Sequence, residues 1–286
     1  WVETSFRRSP GQVVAVDGKK ARGSQQRGIG KEALHLIRAW ASEDRLVLGQ
    51  HKVAEGANEI TTIPELLQAL NLTGCVVTID AIGCQKAIAQ TILDRKADYV
   101  LAVKDNQAHL RQDLEDWFAH ARQLDFEGMQ HDFHQTVNKT SGRIETRRAW
   151  AISEPLAFEY IRHHQGWPGL QTIVLIERER QQGDKLQRER VYFISSLPCD
   201  ARRLLHCVRH HWSIENSCHW TLDVIFDEDA SRVRIGHGPQ NFAVIRHFAL
   251  NLLKQDPSKG SLNQKRLRAA LDDSFRSQLL SPVLMR

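Results

Sequence analysis

Val13-Val-Ala-Val-Asp17-Gly18 and Val76-Val-Thr-Ile-Asp80-Ala81 are near-identical passages, each an apolar, β-branched run closed by an aspartate. Such runs read as buried strands, here Gln12 to Val16 and Cys75 to Ile79. An aspartate at the end of a buried strand faces the crevice where α/β folds place ligands and metals. The likeness of the two runs predicts that both carboxylates emerge on one edge of one sheet. For either aspartate alone, a turn or helix cap is the competing explanation.

A third acid comes from Trp212-Ser-Ile-Glu215-Asn216. Val208, Trp212, Glu215, His219 and Leu222 follow helical spacing and predict one inward stripe. A buried carboxylate must be protonated, paired or metal-bound, and Arg209 is the candidate ion-pair partner. Three carboxylates so arranged suit two Mg²⁺ ions about 4 Å apart, which activate an attacking oxygen and steady a leaving one.

Outward from these passages the chain alternates strand and helix. Lys19 to Lys31 reads as a basic loop, Leu46 to Val53 as strand, and Ile63 to Leu70 as a helix with Pro64 in its first turn. Gln85 to Arg95 is helical and Tyr99 to Val103 extended, an alternation that implies parallel pairing. From Asp132 to Ile194 the pattern is β-rich, with a hairpin turn at Gln182-Gly183-Asp184. Helices return after Asp200, a candidate N-cap, through Trp220. Two more are expected, over Pro239 to Leu253 and Leu262 to Leu280.

The 286 residues suit one large core with an insertion, and 41% apolar content is enough to bury it. A surplus of 39 Lys and Arg over 34 Asp and Glu is compatible with a polyanionic partner. Lys19, Lys20, Arg22, Arg27 and Lys31 would bring positive charge beside Asp17, and Arg143, Arg147 and Arg148 form a second strip. A solvated charged face is the alternative for each. Five cysteines without a C-x-x-C pair, no leader and no membrane-length apolar run predict reduced thiols in a cytoplasmic protein. His206, Cys207, His210, His211, Cys218 and His219 raise a zinc alternative, although one continuous helix cannot close a tetrahedron alone. Asp223, Asp227, Glu228 and Asp229 read as a solvated turn with rival magnesium ligands, and Asp105 is a similar rival.

The ordered motifs Ala15-Val-Asp17-Gly-Lys-Lys-Ala-Arg-Gly-Ser24, Asn58-Glu59-Ile60, Thr78-Ile-Asp80-Ala-Ile-Gly-Cys-Gln85, Tyr99-Val-Leu-Ala-Val-Lys104-Asp-Asn106-Gln107, His211-Trp-Ser-Ile-Glu215-Asn-Ser-Cys-His219-Trp-Thr-Leu-Asp223 and Glu228-Asp229-Ala-Ser-Arg232 span nearly the whole chain. Together they resemble the H-repeat-associated DDE insertion-sequence transposases, which are IS4-related and of the ISAs1 type. The resemblance implies an α/β, RNase H-like mixed sheet flanked by helices, with a β-rich insertion before the glutamate-bearing helix. It divides the chain into a core over 12–131 and 196–256, an insertion over 132–195, a helical tail over 257–286, and at 1–11 the remnant of a truncated N-terminal region. The spacings fit an insertion: 80 − 17 = 63 residues separate the aspartates and 215 − 80 = 135 precede the glutamate.

By the same resemblance Asp17, Asp80 and Glu215 hold two Mg²⁺ ions, with Mn²⁺ able to substitute. The implied reaction is DNA cleavage at the element's end, followed by transfer of the 3′-hydroxyl to target DNA. The implied partner is double-stranded DNA, bound by a homodimer. Lys19, Lys20, Arg22, Lys104, Asn106, Arg143, Arg147, His211 and His219 are the candidate DNA contacts. Where related transposases carry Tyr, Arg and Lys around the glutamate, this chain has Val208, His211 and Leu222, so those roles are not transferred. The family's His-Gly-Arg reads Ser141-Gly142-Arg143 here. A nuclease without strand transfer and a DNA-binding protein without catalysis are the competing functions.

Overall fold

The computed structural model describes residues 10–26, 28, 32–140 and 142–284. The readings that involve Arg27, Lys31, Ser141 and residues 1–9 lie outside the described residues. The chain forms two compact units, one built from Ala15–Leu70 and Trp212 onward, the other from Pro10–Val14 and Asn71–His211.

In the second unit, β4 (Val76–Ile79) and β5 (Asp98–Val103) pair in parallel, Val76 opposite Asp98 and Ile79 opposite Leu101. They are joined through α2 (Lys86–Asp94). Both strands are almost wholly buried, so they read as unbroken apolar runs instead of alternating ones. Gln12, at the start of β1 (Val13–Ala21), accepts a 2.8 Å hydrogen bond from the Val76 N–H. On the other side of β5 an antiparallel meander follows, with β9 (Lys185–Ser195), β8 (Thr172–Gln182), β7 (Arg143–Ile152) and β6 (His131–Thr140) in that order. The β8–β9 hairpin turns through Gly183-Asp184, and Gly183 takes a φ of 56° that favours glycine. Two helices, α3 (Ala108–Gln123) and α4 (Pro155–Tyr160), precede α5 (Ala201–His211). Asp200 caps α5 by accepting the Arg203 N–H at 2.8 Å.

In the first unit, β1 continues to Ala21, past the turn expected at Asp17-Gly18. Two more strands, β2 (Leu34–Ala41) and β3 (Leu46–Lys52), pair antiparallel with a bulge at Ala39/Trp40. Strand order is β3-β2-β1-β4-β5-β9-β8-β7-β6. The sheet is therefore mixed, the α/β arrangement expected of an RNase H-like transposase core: the parallel pairing implied by strand-helix alternation holds between β4 and β5, while β2–β3 and the strands beyond β5 pair antiparallel.

The first helix, α1 (Glu59–Gln68), starts earlier than its proline implies. Asn58 and Thr61 form a reciprocal capping box, which leaves Pro64 inside the helix. A six-residue π segment, Ile214–His219, leads into α6 (Trp220–Val224). The long α7 (Gly238–Gln255) follows. Its Asn251 amide bonds both the N–H and the carbonyl of Val47 at 2.9 and 2.8 Å, so a side chain serves the backbone of the outermost strand. The expected last helix is two, α8 (Leu262–Leu271) and α9 (Asp273–Leu284), because Asp272 is extended between them. Among the described residues no helix is long and apolar enough to cross a membrane.

Candidate active site

Period-two alternation puts Ala15, Asp17 and Lys19 on one face of β1 and Gly18 on the other. Ala15 joins Trp40, Ile214, Cys218, Leu222 and Leu250 in an apolar cluster. The π segment and α6 lie over the Ala15 face through these contacts. Trp40 Nε1 donates to Ser213 Oγ at 3.0 Å, tying β2 to the residue before the π segment.

Beyond the apolar cluster the contacts are charged. His219 Nδ1 stands 3.5 Å from Asp17 Oδ2, with His219 almost fully buried. Lys19 Nζ is paired with Asp223 and lies 3.6 Å from Asp229 Oδ2.

Glu215 occupies the second position of the π segment, and the Trp220 N–H reaches back five residues to its carbonyl. The wider turn rotates the side chains away from α-helical spacing. Ile214, Cys218 and Leu222 form the buried stripe, whereas Trp212 is 48% exposed and Glu215 is exposed. Of the inward stripe expected from sequence, His219 and Leu222 are buried, whereas Trp212 and Glu215 are not. Among the described residues the Glu215 carboxylate makes no ion pair, with Arg209 or any other cation.

The opposite face of β1 holds a second charged group. His35 Nε2 and Glu59 Oε1 meet at 2.7 Å. A Cβ on Gly18 would come within 2.1 Å of that same Glu59 oxygen. Gly18 is therefore the residue that lets the His35–Glu59 pair lie against the strand bearing Asp17.

In the second unit Asp80 follows β4 directly and is exposed. Its Oδ1 accepts the Ile82 N–H at 3.2 Å, capping the short 3-10 turn Ala81–Gly83. A cap and a ligand are compatible roles, because a carboxylate has two oxygens. The same turn is braced by Asn106 Nδ2, which donates to the Ala81 carbonyl, and by Gln107 Nε2, 2.9 Å from the Cys84 carbonyl. Two residues before Asp80, Thr78 Oγ1 meets His211 Nδ1 at 3.1 Å. Burial pushes the His211 imidazole below its usual range, and the Asp80 carboxylate opposes that shift.

The candidate DNA contacts separate into two groups. Arg22 is 86% exposed, Lys20 is exposed at 3.8 Å from Glu32, Lys104 faces solvent, and Asn106 is exposed although its Nδ2 is engaged by the Ala81 carbonyl. Gly18, Lys19, Lys20, Arg22, Gln25, Glu32 and Ala33 line a cavity of about 380 Å³. The other group is engaged within the fold. Lys19 is held by Asp223 and Asp229, and His219 faces Asp17. Arg147 binds Glu145 at 2.8 Å, and Arg148 binds Gln135 at 2.9 Å. Arg143 lies on the same strand. Burial lowers the Arg147 pKa, and the neighbouring charges of Arg209 and Arg178 add to the effect.

The acidic cluster is a solvated turn only at Asp227, which is exposed; Asp223 and Asp229 face Lys19. Glu228 is 1% exposed and accepts from Arg38, itself 0% exposed, at 2.6 and 2.7 Å. Arg38 carried a readable signal: a lone charge inside Leu34-His-Leu-Ile-Arg-Ala-Trp-Ala41 implies a buried partner. Asp105 is engaged by Arg111. Of the residues behind the zinc alternative, Cys207 and Cys218 belong to separate apolar clusters. Burial pushes the Cys218 thiol up to about 12, away from the thiolate that zinc requires. His206 and His210 stack at 4.0 Å. None of the five cysteines is in a disulfide.

A family model described as the Transposase DDE domain matches residues 8–252. The chain is 39% identical over 285 residues to "Putative transposase YncI" of Escherichia coli O157:H7, covering 98% of this chain and 72% of that protein. It is 34% identical over 289 residues to "H repeat-associated putative transposase YhhI" of Escherichia coli (strain K12), covering 98% and 74%.

Proposed function

Because the chain belongs to the Transposase DDE domain family, we propose that it cleaves DNA at insertion-sequence ends and transfers the freed 3′-hydroxyl to target DNA. Asp17, Asp80 and Glu215 are the residues that hold divalent metal in this reading. Their chemistry fits Mg²⁺, with Mn²⁺ as substitute: all three offer hard oxygen donors, and Asp80 and Glu215 are exposed and form no ion pair among the described residues. When bound, two such ions supply the activation of the attacking oxygen and the stabilisation of the leaving one.

The observation that carries the proposal is the exposed Glu215 on a π turn, four residues before the histidine that meets Asp17. The π turn leaves Glu215 outward while Ile214, Cys218 and His219 are buried, so the carboxylate itself takes no part in the packing, and π turns recur at functional sites. His219 orients the Asp17 carboxylate. The neutral His211, held by Thr78, adds no cation to compete for Asp80. Lys20, Arg22, Lys104 and Asn106 are placed in solvent where a phosphate backbone can reach them, with Arg143 and Arg147 as the second strip. Two element ends must be handled together, so the protein acts on double-stranded DNA as a homodimer.

The test incubates the protein with duplex DNA carrying the ends of its element, with and without Mg²⁺ or Mn²⁺, and resolves nicked and joined products. Metal-dependent nicking and joining are expected from the wild type and neither from Asp80→Asn. Undiminished cleavage by Asp80→Asn would sink the triad; nicking without joining would indicate a nuclease.

A further inference from the structure

We infer that Lys19, with Asp223 and Asp229, is a positioning group that sets the register of the Glu215 segment along β1. The inference rests on the reading of Asp17 and Glu215 as metal ligands. It assigns Lys19 a role other than the phosphate contact that its place in a basic stretch suggests.

Two matching rungs join β1 to the helical side. On the strand, Asp17 and Lys19 are two residues apart on one face, about 6.6 Å. On the helical side, His219 and Asp223 are four residues apart, about 6 Å at α-helical rise. Asp17 meets His219 and Lys19 meets Asp223. The two spacings agree to within an ångström, so both rungs close only when strand and helix run side by side in one register. Ala15 packing in one cluster with Ile214, Cys218 and Leu222 gives the same segment an apolar seat. Apolar contact tolerates sliding; a pair of polar rungs does not.

The Lys19 rung is also buttressed from a third side. Asp229 lies 3.6 Å from Lys19 Nζ and accepts the Arg22 N–H at 3.1 Å through its other oxygen. Its carbonyl accepts the Gly23 N–H at 2.9 Å, an approach so close that a Cβ on Gly23 would stand 2.5 Å from it. The adjacent Glu228 is anchored by the buried Arg38. Lys19 therefore sits between two carboxylates, of which Asp229 is also held by the Arg22 N–H and Asp223 is carried on α6. Freeing it would release the helix end from β1, and with it the placement of Glu215 relative to Asp17.

The experiment titrates Mn²⁺ alone into the folded protein, without DNA, and reads affinity by electron paramagnetic resonance or calorimetry. Lys19→Met and Asp223→Asn are each expected to weaken Mn²⁺ binding roughly tenfold, in the range of lost supporting contacts at metal sites. The double variant should lose no more than either single one, and Lys19→Arg should keep wild-type affinity. Simple electrostatics predicts the opposite sign for Lys19→Met, since removing a cation beside Asp17 tightens cation binding. Tighter or unchanged Mn²⁺ binding by Lys19→Met, or additive losses in the double variant, overturns the inference. So does a Lys19→Met that only weakens DNA binding with a salt slope reduced by about one, the signature of a phosphate contact. Asp17→Asn and Glu215→Gln keep the two readings apart. If they bind Mn²⁺ like the wild type, the metal assignment itself has failed; if they lose it while Lys19→Met does not, only the register role has.

Discussion

Asp17 and Asp80 end near-identical sequence runs yet are held in opposite ways. Asp17 lies mid-strand, half-buried, beside a buried histidine and a lysine pinned by two carboxylates. Asp80 lies past its strand's end, exposed, capping a single turn. The surroundings of Asp17 are over-determined by buried charge, those of Asp80 by short-range backbone geometry. Substitutions around Asp17 should therefore disturb the fold, and those at Asp80 should leave it intact.

The largest effect is expected at the Arg38–Glu228 pair. Glu228→Gln or Arg38→Met strands a buried charge and should cost about 3–5 kcal/mol in urea unfolding, whereas Arg38→Met with Glu228→Leu should recover much of that loss. A single variant costing under about 1 kcal/mol would show that the pair does not anchor the loop carrying Asp229.

An intermediate effect concerns pH. Burial pushes His247 on α7 well below the ordinary imidazole value of 6.5, and the charges of Arg38, His219 and Arg246 add to the shift. A folded pKa below the unfolded one means that the unfolded chain takes up the proton first. Stability contributed by the neutral ring is complete above pH 6.5 and falls as pH drops below it, by at most about 1.4 kcal/mol per pH unit. His247→Leu should flatten that acid limb. His211, in the second unit, shifts the same way but less strongly, so His211→Asn should flatten it less. Equal slopes in both variants and the wild type would remove the contrast.

The smallest effect is expected at Asp80. Asparagine can accept the Ile82 N–H as aspartate does, so Asp80→Asn should change stability by no more than about 0.5 kcal/mol. A larger loss would mean that Asp80 is a structural residue first.

Much of the framework was legible in the sequence, for reasons visible at particular residues. The runs ending at Asp17 and Asp80 are buried strands because β-branched residues suit a pleated, enclosed backbone. The Gly183-Asp184 hairpin and the Asp200 cap follow from local chemistry. What misled was extrapolation along one element: β1 does not stop at Asp17, α1 does not begin at Pro64, and the stripe through Trp212 and Glu215 does not stay inside. In each case a neighbouring group decided the outcome. Strand partners extend β1, the Asn58–Thr61 box starts α1, and a π turn redirects Glu215.

The sequence alone determined the mixed helix and strand content and the family, because these depend on residue type, period and order. Tertiary structure alone decided that Arg38 pairs with Glu228 across 190 positions, that Lys19 belongs to Asp223 and Asp229, and that Glu215 faces outward. A charged side chain chooses its partner through space, over distances in which sequence separation carries no information, and burial then makes that choice costly to change.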